Sequence, residues 1–404
     1  MKICGASKQI ILMEKFVSNS DVNPQGCRPT WAQINLNALA ENFRLIRERV
    51  GQDVKIMSVV KANAYGHGAV ECARRLEQEG TDWFGVALPE EAIELREAGI
   101  TNPILTLGGF WHGQEEAILF HRLTPVIFRI DMLEALDRLA KDKRTTADVH
   151  IKIDTGMGRF GVRYDAVGDF INAISQFKNI RVDGLMTHFA SADEPQSDNF
   201  TFDQISKFRM AVRAFQENGY APTFIDLANS AGIVGHGASH KNLVRAGGIL
   251  YGLWRDILPP QITPIPFQPV MSLYSRITLL KRVPKGETLG YGRTFKTERD
   301  SLIGTISIGY HDGYLRGLSN KGRVVVNGKF APVVGRVSMD ATIIDVTDIE
   351  GVRIDDSVML LGNENSLSIT AEDIARQVGT LSYEVTCGIS ERVPRFYKHK
   401  VQSS

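Results

Sequence analysis

The stretch KIMSVVKANAYGHG, residues 55–68, joins a short apolar run to a loop of small and polar residues. The run 55–60 is apolar and rich in β-branched residues, which predicts a buried strand. Lys61 follows this run directly, and beyond the loop Val70, Ala73 and Leu76 recur at helical spacing. The stretch therefore predicts a strand, a turn and a helix that packs back on the strand.

The same alternation of strand and helix continues along the chain. Apolar runs predict eight strands, with helical patterns between most of them, at 55–60, 84–87, 104–107, 123–127, 148–153, 182–186, 224–227 and 243–244. Strands that alternate with helices predict a parallel sheet. Eight such units match a (β/α)8 TIM barrel better than an open doubly wound sheet, which is the alternative. The predicted fold class is therefore α/β.

The pattern changes after Gly252. Prolines cluster at positions 259, 260, 264, 266 and 269, and beyond them short apolar runs dominate. The dipeptide Asn327-Gly328 lies between two such runs and predicts a hairpin with a type I′ turn. We therefore predict a mainly β C-terminal domain. The predicted division is an N-terminal extension (1–29), a barrel (30–265) and the β domain (266–404).

The composition is that of an ordinary globular protein. The chain has 404 residues, of which 43% are hydrophobic and 23% charged, with 47 Lys and Arg against 46 Asp and Glu. These values argue against a disordered chain. The near-zero net charge argues against a dedicated nucleic-acid-binding protein, which carries a basic excess.

The cysteines and the N-terminus bear on the compartment. The cysteines are scattered and include no Cys-x-x-Cys pair: Cys4, Cys27, Cys72 and Cys387. This spacing indicates neither a zinc site nor a disulfide framework, and it suits a reducing compartment. The N-terminal apolar run, 10–13, is too short for a signal peptide or a membrane span. We therefore predict a cytoplasmic protein without a metal site or a membrane anchor.

Lys61 is the first candidate for chemistry, because barrel enzymes carry their reactive groups at the carboxyl ends of the strands. An ammonium group at the end of a buried strand is poorly solvated, so its pKa tends to fall. An amine of this kind can form a Schiff base with a carbonyl compound. The alternative is a strand-end lysine whose side chain reaches solvent at the rim.

Other predicted strands also end in polar or glycine-rich sequence, at Arg159, His188, Ser230 and Arg245-Ala246-Gly247-Gly248. Taken singly, His188 would be a rim histidine and Arg245 an ion-pair partner. However, loops after the seventh and eighth strands of barrels frequently bind phosphate, and glycine lets backbone N–H groups approach the anion. A Schiff-base lysine beside a phosphate site predicts pyridoxal 5′-phosphate (PLP) as the cofactor.

An ordered set of motifs resembles the alanine racemases, a family of fold-type III PLP-dependent enzymes. The matches are VKANAYGHG (60–68), KIDTGMGR (152–159), THFA (187–190), NS (229–230), GYGRT (290–294), IGY (308–310), GRVSMD (335–340) and RVPR (392–395). The first motif alone marks the wider fold type. The full set covers the chain from about residue 31 to residue 395 and is specific to the family.

The resemblance implies an isomerase that interconverts L-alanine and D-alanine, with Lys61 holding PLP and acting as one of two catalytic bases. Racemisation needs proton removal on one face of Cα and proton return on the other, which one base on one side cannot easily do. The family's second base is a tyrosine of the partner subunit, which Tyr291 matches. His188 and Arg245 match the residues that assist this tyrosine. The resemblance therefore also implies a homodimer with shared active sites.

The same resemblance implies roles for further residues. The expected cofactor-binding residues are Lys61, Tyr65, His188, Ser230, Arg245, Gly247, Gly248 and Tyr383. The expected substrate contacts are Arg159, Tyr310 and Met339, and the expected entrance residues are Asp193 and Arg336. Lys152 matches a position that is carbamylated in many family members, where the carbamate would orient Arg159. The alternative for Lys152 is an ordinary barrel lysine.

Two positions depart from the family pattern, and several functional alternatives stay open. His311 follows Tyr310 where the family often has a small residue, and Gly248 lies where a β-branched residue is common. The enzyme alternatives are a racemase for serine or several amino acids and a fold-type III aldolase or decarboxylase. The alternative of a different class is a non-catalytic PLP-carrier protein, which lacks a β domain. The resemblance implies supply of D-alanine for cell-wall peptidoglycan, and catabolism of alanine is equally compatible.

Overall fold

The computed structural model describes residues 28–258 and 265–399, and these form two compact units. Among the described residues, one unit contains 39–64, 69–258 and 265–267, and the other contains 28–38, 65–68 and 268–399. The predicted N-terminal extension, except for residues 28 and 29, lies outside the described residues, as do three of the clustered prolines. The unit around residues 39–267 is called the barrel unit below, and the other the β unit.

The barrel unit is a closed parallel sheet of eight strands. The strands are Lys55–Val59, Trp83–Val86, Ile104–Thr106, Thr124–Ile127, Ala147–Asp154, Ile180–Met186, Phe224–Asp226 and Leu243–Ala246. Each pairs in parallel with its neighbours, and the last strand closes the ring by pairing with the first. A two-residue strand, Val162–Arg163, extends the sheet beside the fifth strand. The predicted (β/α)8 barrel and its eight strands are therefore confirmed.

The helices of the chain up to residue 258 lie mostly between these strands. They are Leu36–Val50, Ala69–Gln78, Pro89–Glu97, Glu115–Phe120, Ile130–Asp142, Val167–Ile174, Asp198–Glu217 and Ser230–Gly235. Short 3-10 turns occur at Tyr164–Ala166, Pro195–Ser197, Gly237–Ser239 and Gly248–Tyr251. Because strands alternate with helices, the carboxyl ends of all eight strands open at the same face of the barrel, its mouth.

The inside of the barrel is packed with apolar side chains from several strands. One cluster of buried residues consists of Met57, Trp83, Leu105, Val126, Met186 and Leu243. Such packing makes the barrel interior a core rather than a pore. Polar groups near the mouth are therefore held by a rigid apolar base.

The β unit contains a mixed sheet of nine strands and a two-stranded ribbon. Its strands are Thr30–Asn35, Met271–Val283, Thr288–Leu289, Phe295–Lys296, Ser301–Ile306, Arg323–Val326, Lys329–Pro332, Thr342–Asp345, Ser357–Glu364, Leu367–Ile369 and Arg395–Lys398. Its helices are Ala371–Val378 and Ser382–Cys387, with 3-10 turns at Tyr291–Arg293, Tyr310–Asp312 and Arg316–Leu318. A mainly β C-terminal domain was predicted, and this is confirmed.

Two local features of the β unit bear on the sequence predictions. The predicted hairpin turn has φ 47° at Asn327 and φ 70° at Gly328, as a type I′ turn requires. The strand Thr30–Asn35 pairs antiparallel with Met271–Val283 and parallel with Arg395–Lys398. The first residues of the segment predicted to be barrel thus belong to the sheet of the β unit.

Candidate active site

A left-handed turn follows the first strand of the barrel. Residues 62–64 have φ between 52° and 54°, a conformation that costs roughly 1–2 kcal/mol for each L-residue with a Cβ. The Glu91 carboxylate stabilises the turn by accepting a hydrogen bond of 2.6 Å from the Ala62 backbone N–H. Backbone strain of this kind concentrates at functional sites. The turn fixes the point at which Lys61 leaves the sheet, at the barrel mouth.

Arg245 is the central charged group of the mouth. Its side chain is buried, and Nη1 forms an ion pair with the fully buried carboxylate of Asp226. Nη2 donates a hydrogen bond of 2.8 Å to the Thr187 carbonyl and lies 3.3 Å from Nδ1 of His188. Two edges of the guanidinium are therefore fixed by protein groups.

His188 is neutral at the mouth. Burial and the positive charges of Arg245 and Lys152 hold the pKa of its imidazole well below the ordinary value. Because Nδ1 faces an N–H donor of Arg245, Nδ1 is the acceptor and Nε2 carries the proton in this arrangement. The Nε2–H of His188 is therefore available as a hydrogen-bond donor.

Lys152 lies on the inner side of the strand Ala147–Asp154. Burial, followed by the charges of Arg245 and Arg159, lowers the pKa of its ammonium group to about 8. A large share of the Lys152 side chains therefore carries a neutral, nucleophilic amine at mildly alkaline pH. The guanidinium of Arg159 is exposed and forms no ion pair within residues 28–258 and 265–399.

The loops after the seventh and eighth strands meet, as a phosphate site requires. Asn229 caps the helix Ser230–Gly235 by accepting a hydrogen bond of 3.0 Å from the Gly232 N–H. Ser230 Oγ accepts a hydrogen bond of 3.2 Å from the Gly247 N–H. The hydroxyl of Ser230 and the N–H of Gly247 are thus adjacent polar groups that an anion could take as ligands.

Two tyrosines predicted to bind the cofactor meet in the β unit. The rings of Tyr65 and Tyr383 are 5.3 Å apart between centroids and pack edge to face. Gly66 follows with φ 85°, and any Cβ there would collide with the Thr386 carbonyl oxygen. Burial raises the pKa of the Tyr65 phenol, so this hydroxyl acts as a hydrogen-bond donor rather than as a phenolate.

Tyr291 opens the 3-10 turn Tyr291–Arg293 of the β unit, after Gly290 at φ 72°. Its side chain is 72% exposed in the single chain, so it is not a packed strand-end tyrosine. The backbone N–H of Arg336 lies 3.2 Å from the position of a Cβ at Gly290, so these two predicted site segments are neighbours. Arg336 was predicted to lie at the entrance.

Tyr310 and Met339 are also brought together. The Tyr310 N–H donates to the Ser338 carbonyl (2.9 Å), and the His311 N–H donates to the Met339 carbonyl (3.1 Å). Tyr310 and Met339 are 41% and 51% exposed. The remaining predicted entrance residue, Asp193, lies exposed in a loop of the barrel unit, without an ion pair among the described residues.

Comparison with known proteins identifies the family. The family model "Alanine racemase, N-terminal domain" matches residues 34–254, and the model "Alanine racemase, C-terminal domain" matches residues 270–397. The alanine racemase of Halothermothrix orenii is 45% identical, over 94% of this chain and 100% of that protein. The chain belongs to the alanine racemase family. The family predicted from the ordered motifs is therefore confirmed, together with the enzyme class, an isomerase.

Solved structures of alanine racemases resemble this chain closely. The Bacillus anthracis alanine racemase with bound L-Ala-P is 34% identical, with a TM-score of 0.86, over 92% of this chain and 96% of that one. The Bartonella henselae alanine racemase with covalently bound pyridoxal phosphate is 30% identical, with a TM-score of 0.82, over 92% of this chain and 99% of that one. No helix in the described parts of the chain is long and apolar enough to span a membrane.

Asp226 was not predicted as a site residue of this alanine racemase family member. The structure gives it a buried carboxylate beside Arg245, at the last position of the strand Phe224–Asp226. Burial raises the pKa of this carboxyl, and the neighbouring Arg245 opposes that rise. The sequence did contain a signal for Asp226, because this carboxylate lies near the carboxyl end of the predicted strand 224–227. Barrel enzymes carry functional groups at that end of their strands.

Proposed function

We propose that this protein interconverts L-alanine and D-alanine with PLP, and that Lys61 and Tyr291 move the Cα proton on opposite faces of the substrate. The observation that carries the proposal is Lys61 at the barrel mouth, beside a buried network of Arg245 and His188. When bound, PLP supplies an electron-withdrawing ring that acidifies the Cα–H bond of the amino acid. The protein contributes the amine, the anion site and the bases.

The described residues fit this cofactor. Lys61 supplies the amine that would hold it, and the Ser230 hydroxyl and Gly247 N–H would hold its phosphate together with Gly248. Tyr65 and Tyr383, which pack against each other, stay cofactor ligands predicted from the family resemblance. Arg245 would face the ring nitrogen. Because arginine stays protonated, it gives that nitrogen no proton, which favours simple proton return over side reactions.

The electrostatics of the mouth support a role for Lys61 as a base. The positive charge of Lys61 acts on both Lys152 and His188, so all three lie within one electrostatic environment. Crowding of cations favours neutral amines and a neutral imidazole. We propose that the neutral amine of Lys61 takes or returns the proton on its face of Cα, while Arg159 and Met339 hold the substrate carboxylate.

The second base, Tyr291, is assigned to the partner subunit. Tyr291, Tyr310 and Met339 leave large exposed areas on a single chain, although the family resemblance puts them at the active site. We propose a homodimer in which the Tyr291 phenol of one subunit reaches the mouth of the other. Neutral His188, hydrogen-bonded to Arg245 through Nδ1, would donate its Nε2–H to the Tyr291 oxygen and so stabilise the phenolate that acts as the base.

The carrier alternative is disfavoured. A carrier would need only the barrel, whereas the match of residues 270–397 to the family's C-terminal domain covers the Tyr291, Tyr310 and Met339 motifs. A serine or broad-specificity racemase uses the same residues, and rates with L-alanine and L-serine separate the two. Cytoplasmic location and the supply of D-alanine for peptidoglycan stay predictions from the sequence.

The decisive experiment incubates the PLP-loaded protein with L-alanine in deuterated water. NMR follows exchange of the Cα proton, and circular dichroism follows optical activity. We expect both exchange and racemisation. Exchange without racemisation would contradict the assignment of two bases, and the absence of both would contradict the proposed activity.

Shared active sites have their own test. Lys61→Ala and Tyr291→Phe homodimers should each be nearly inactive. After the two proteins are mixed under conditions that exchange subunits, each heterodimer should contain one intact site, with Lys61 from one chain and Tyr291 from the other. Recovered activity supports shared sites, and mixing without recovery, despite heterodimers seen by native mass spectrometry, contradicts them. Tyr220→Phe, in the barrel unit, serves as the control for phenol removal.

A further inference from the structure

Asp226 brings a buried carboxylate into an otherwise cationic group at the barrel mouth. It ends the strand Phe224–Asp226, and Arg245 lies on the adjacent parallel strand, where Leu243 is the partner of Asp226 in the register. The carboxylate is fully buried and pairs with Arg245 Nη1. Asp226 is therefore placed to offset the positive charge of Arg245.

The charges around Arg245 are unevenly balanced. Lys61, Lys152 and Arg159 all act as positive charges on His188, together with Arg245 itself. Asp226 is the carboxylate that opposes this group at Lys152. In a site of low dielectric, one anion among several cations changes the local potential far more than it would in water.

The guanidinium of Arg245 is held on two sides. Asp226 pairs with Nη1, and Nη2 donates to the carbonyls of Thr187 (2.8 Å) and Leu227 (3.3 Å). The carbonyls supply hydrogen bonds without a negative charge. Asp226 is therefore the group that offsets the charge of Arg245, whereas the carbonyls account for much of its orientation.

We propose that Asp226 is a positioning residue that neutralises Arg245, and thereby sets the protonation equilibrium of the cofactor-bound Lys61 nitrogen. The inference rests on the proposed function, because it requires PLP at the mouth. With Asp226 ionised, the residue assigned to the ring nitrogen is one half of a neutral pair. Without Asp226, Arg245 adds a full positive charge close to Lys61.

A purely structural role is the competing explanation. Breaking a buried ion pair by removing one partner destabilises a protein strongly, because the other charge is left uncompensated. A loss of stability in Asp226→Asn would therefore occur under either explanation. A change in the protonation of the bound cofactor would occur only if Asp226 sets the charge felt there.

The test measures the visible absorbance of the PLP-loaded protein as a function of pH. We expect the titration midpoint of Asp226→Asn to lie at least one pH unit below that of the unchanged protein, a tenfold shift in the equilibrium, because an uncompensated guanidinium disfavours a further positive charge. Asp183→Asn is the matched control. Asp183 is a buried carboxylate on the neighbouring strand, bonded by the Thr223 hydroxyl at 2.8 Å. Its midpoint should be unchanged.

The outcomes separate this inference from the proposed function. If the unchanged protein acquires no cofactor absorbance, the proposed function fails and this inference falls with it. If the unchanged protein titrates but Asp226→Asn has the same midpoint, or if Asp183→Asn shifts equally, only the role of Asp226 is overturned.

A second pair of variants covers the case in which Asp226→Asn folds poorly. Arg245→Gln removes the other charge alone, and combining it with Asp226→Asn removes both charges and completes the double-mutant cycle. If the two residues act as a neutral pair, the cofactor-free double variant should unfold in urea at a higher concentration than Asp226→Asn alone, with at least tenfold coupling in the folding equilibrium. Its cofactor titration should also lack the downward shift. Additive effects in urea, or a double variant whose cofactor titration is still shifted downward, would refute the pairing.

Discussion

Two histidines lie at opposite ends of the barrel, His188 half-buried at the mouth and His150 fully buried near the floor, and their surroundings differ. His188 follows the strand Ile180–Met186 at the mouth and lies 3.3 Å from Arg245. His150 lies in the first half of the strand Ala147–Asp154, and its ring packs against Trp83 and Phe224, at centroid distances of 5.4 and 5.9 Å. Within the described parts of the chain, neither nitrogen of His150 has a hydrogen-bond partner.

The pKa does not distinguish the two histidines. Burial, with a smaller contribution from Arg245, lowers the pKa of His150 to about 3, and burial with several cations lowers that of His188. Both imidazoles are therefore neutral at neutral pH. The difference lies in their neighbours, because the His188 ring accepts a hydrogen bond from Arg245, whereas the His150 ring contacts aromatic rings. A perturbed pKa becomes a functional signal only with a partner at the right end of the barrel.

The largest effect is expected at the mouth. His188→Asn should lower racemase activity about 10²-fold, the lower end for a group that assists proton transfer, and leave stability within about 1 kcal/mol. Rates with L-alanine and urea unfolding measure the two effects separately. His112→Asn, at an exposed loop position, is the control. Activity within a factor of two of the unchanged protein would show that His188 does not assist proton transfer.

Near the floor of the barrel, we expect a substitution to lower the free energy of unfolding rather than the activity. A Cβ at Gly184 would lie 2.5 Å from the ring of His150, so we expect Gly184→Ala to destabilise the barrel by roughly 1–3 kcal/mol through overpacking. Gly168→Ala, where a Cβ meets nothing within 4 Å, is the control. Urea unfolding measures both variants.

The cause can be checked in a second background. In His150→Ala, where the ring is absent, Gly184→Ala should cost much less than in the unchanged protein. An equal cost in both backgrounds would show that something other than the ring limits Gly184. Racemase activity at temperatures well below the unfolding transition should stay close to that of the unchanged protein.

The next prediction concerns carbamylation of Lys152 at the barrel mouth. Its pKa of about 8 means that each unit of pH below 8 lowers the neutral amine about tenfold. Because only the neutral amine reacts with carbon dioxide, a carbamate at Lys152 should grow as the pH rises from 6.5 to 8.5 at fixed dissolved carbon dioxide. NMR with ¹³C-bicarbonate would detect the signal, which should be missing in Lys152→Met. A signal that is identical in Lys152→Met would place the carbamate elsewhere.

The sequence predicted the strands of this fold better than it predicted which strands pair with each other. The eight barrel strands were found because buried parallel strands are continuous apolar runs. The strand Thr30–Asn35 is also a regular apolar pattern, but its pairing with Met271–Val283 depends on residues more than two hundred positions away. No local pattern carries that information.

The site was predictable to a similar degree. Lys61 and Tyr291 were predicted because they lie in ordered motifs, and Arg245 was predicted because it follows the eighth predicted strand. The left-handed turn at 62–64 was not, because Ala-Asn-Ala contains no glycine and the conformation is stabilised by distant Glu91. Asp226 was missed because its role depends on the side chain of the next strand.

The last expected effect is an acid-dependent loss of stability caused by His150, which is close to zero at pH 7 and grows only as the pH falls. The unfolded imidazole binds a proton near pH 6.5, whereas the folded one does so only near pH 3. Between these values the unfolded state binds more protons, so stability falls as the pH falls, by up to about 1.4 kcal/mol per pH unit. His150→Phe keeps a ring between Trp83 and Phe224 and should remove this contribution. Urea unfolding at pH 7, 6, 5 and 4 compares the slopes, with His112→Asn as the control for losing an exposed histidine. Equal slopes in His150→Phe and the unchanged protein would mean that His150 takes up a proton in the folded barrel, and the contrast between floor and mouth would then be wrong.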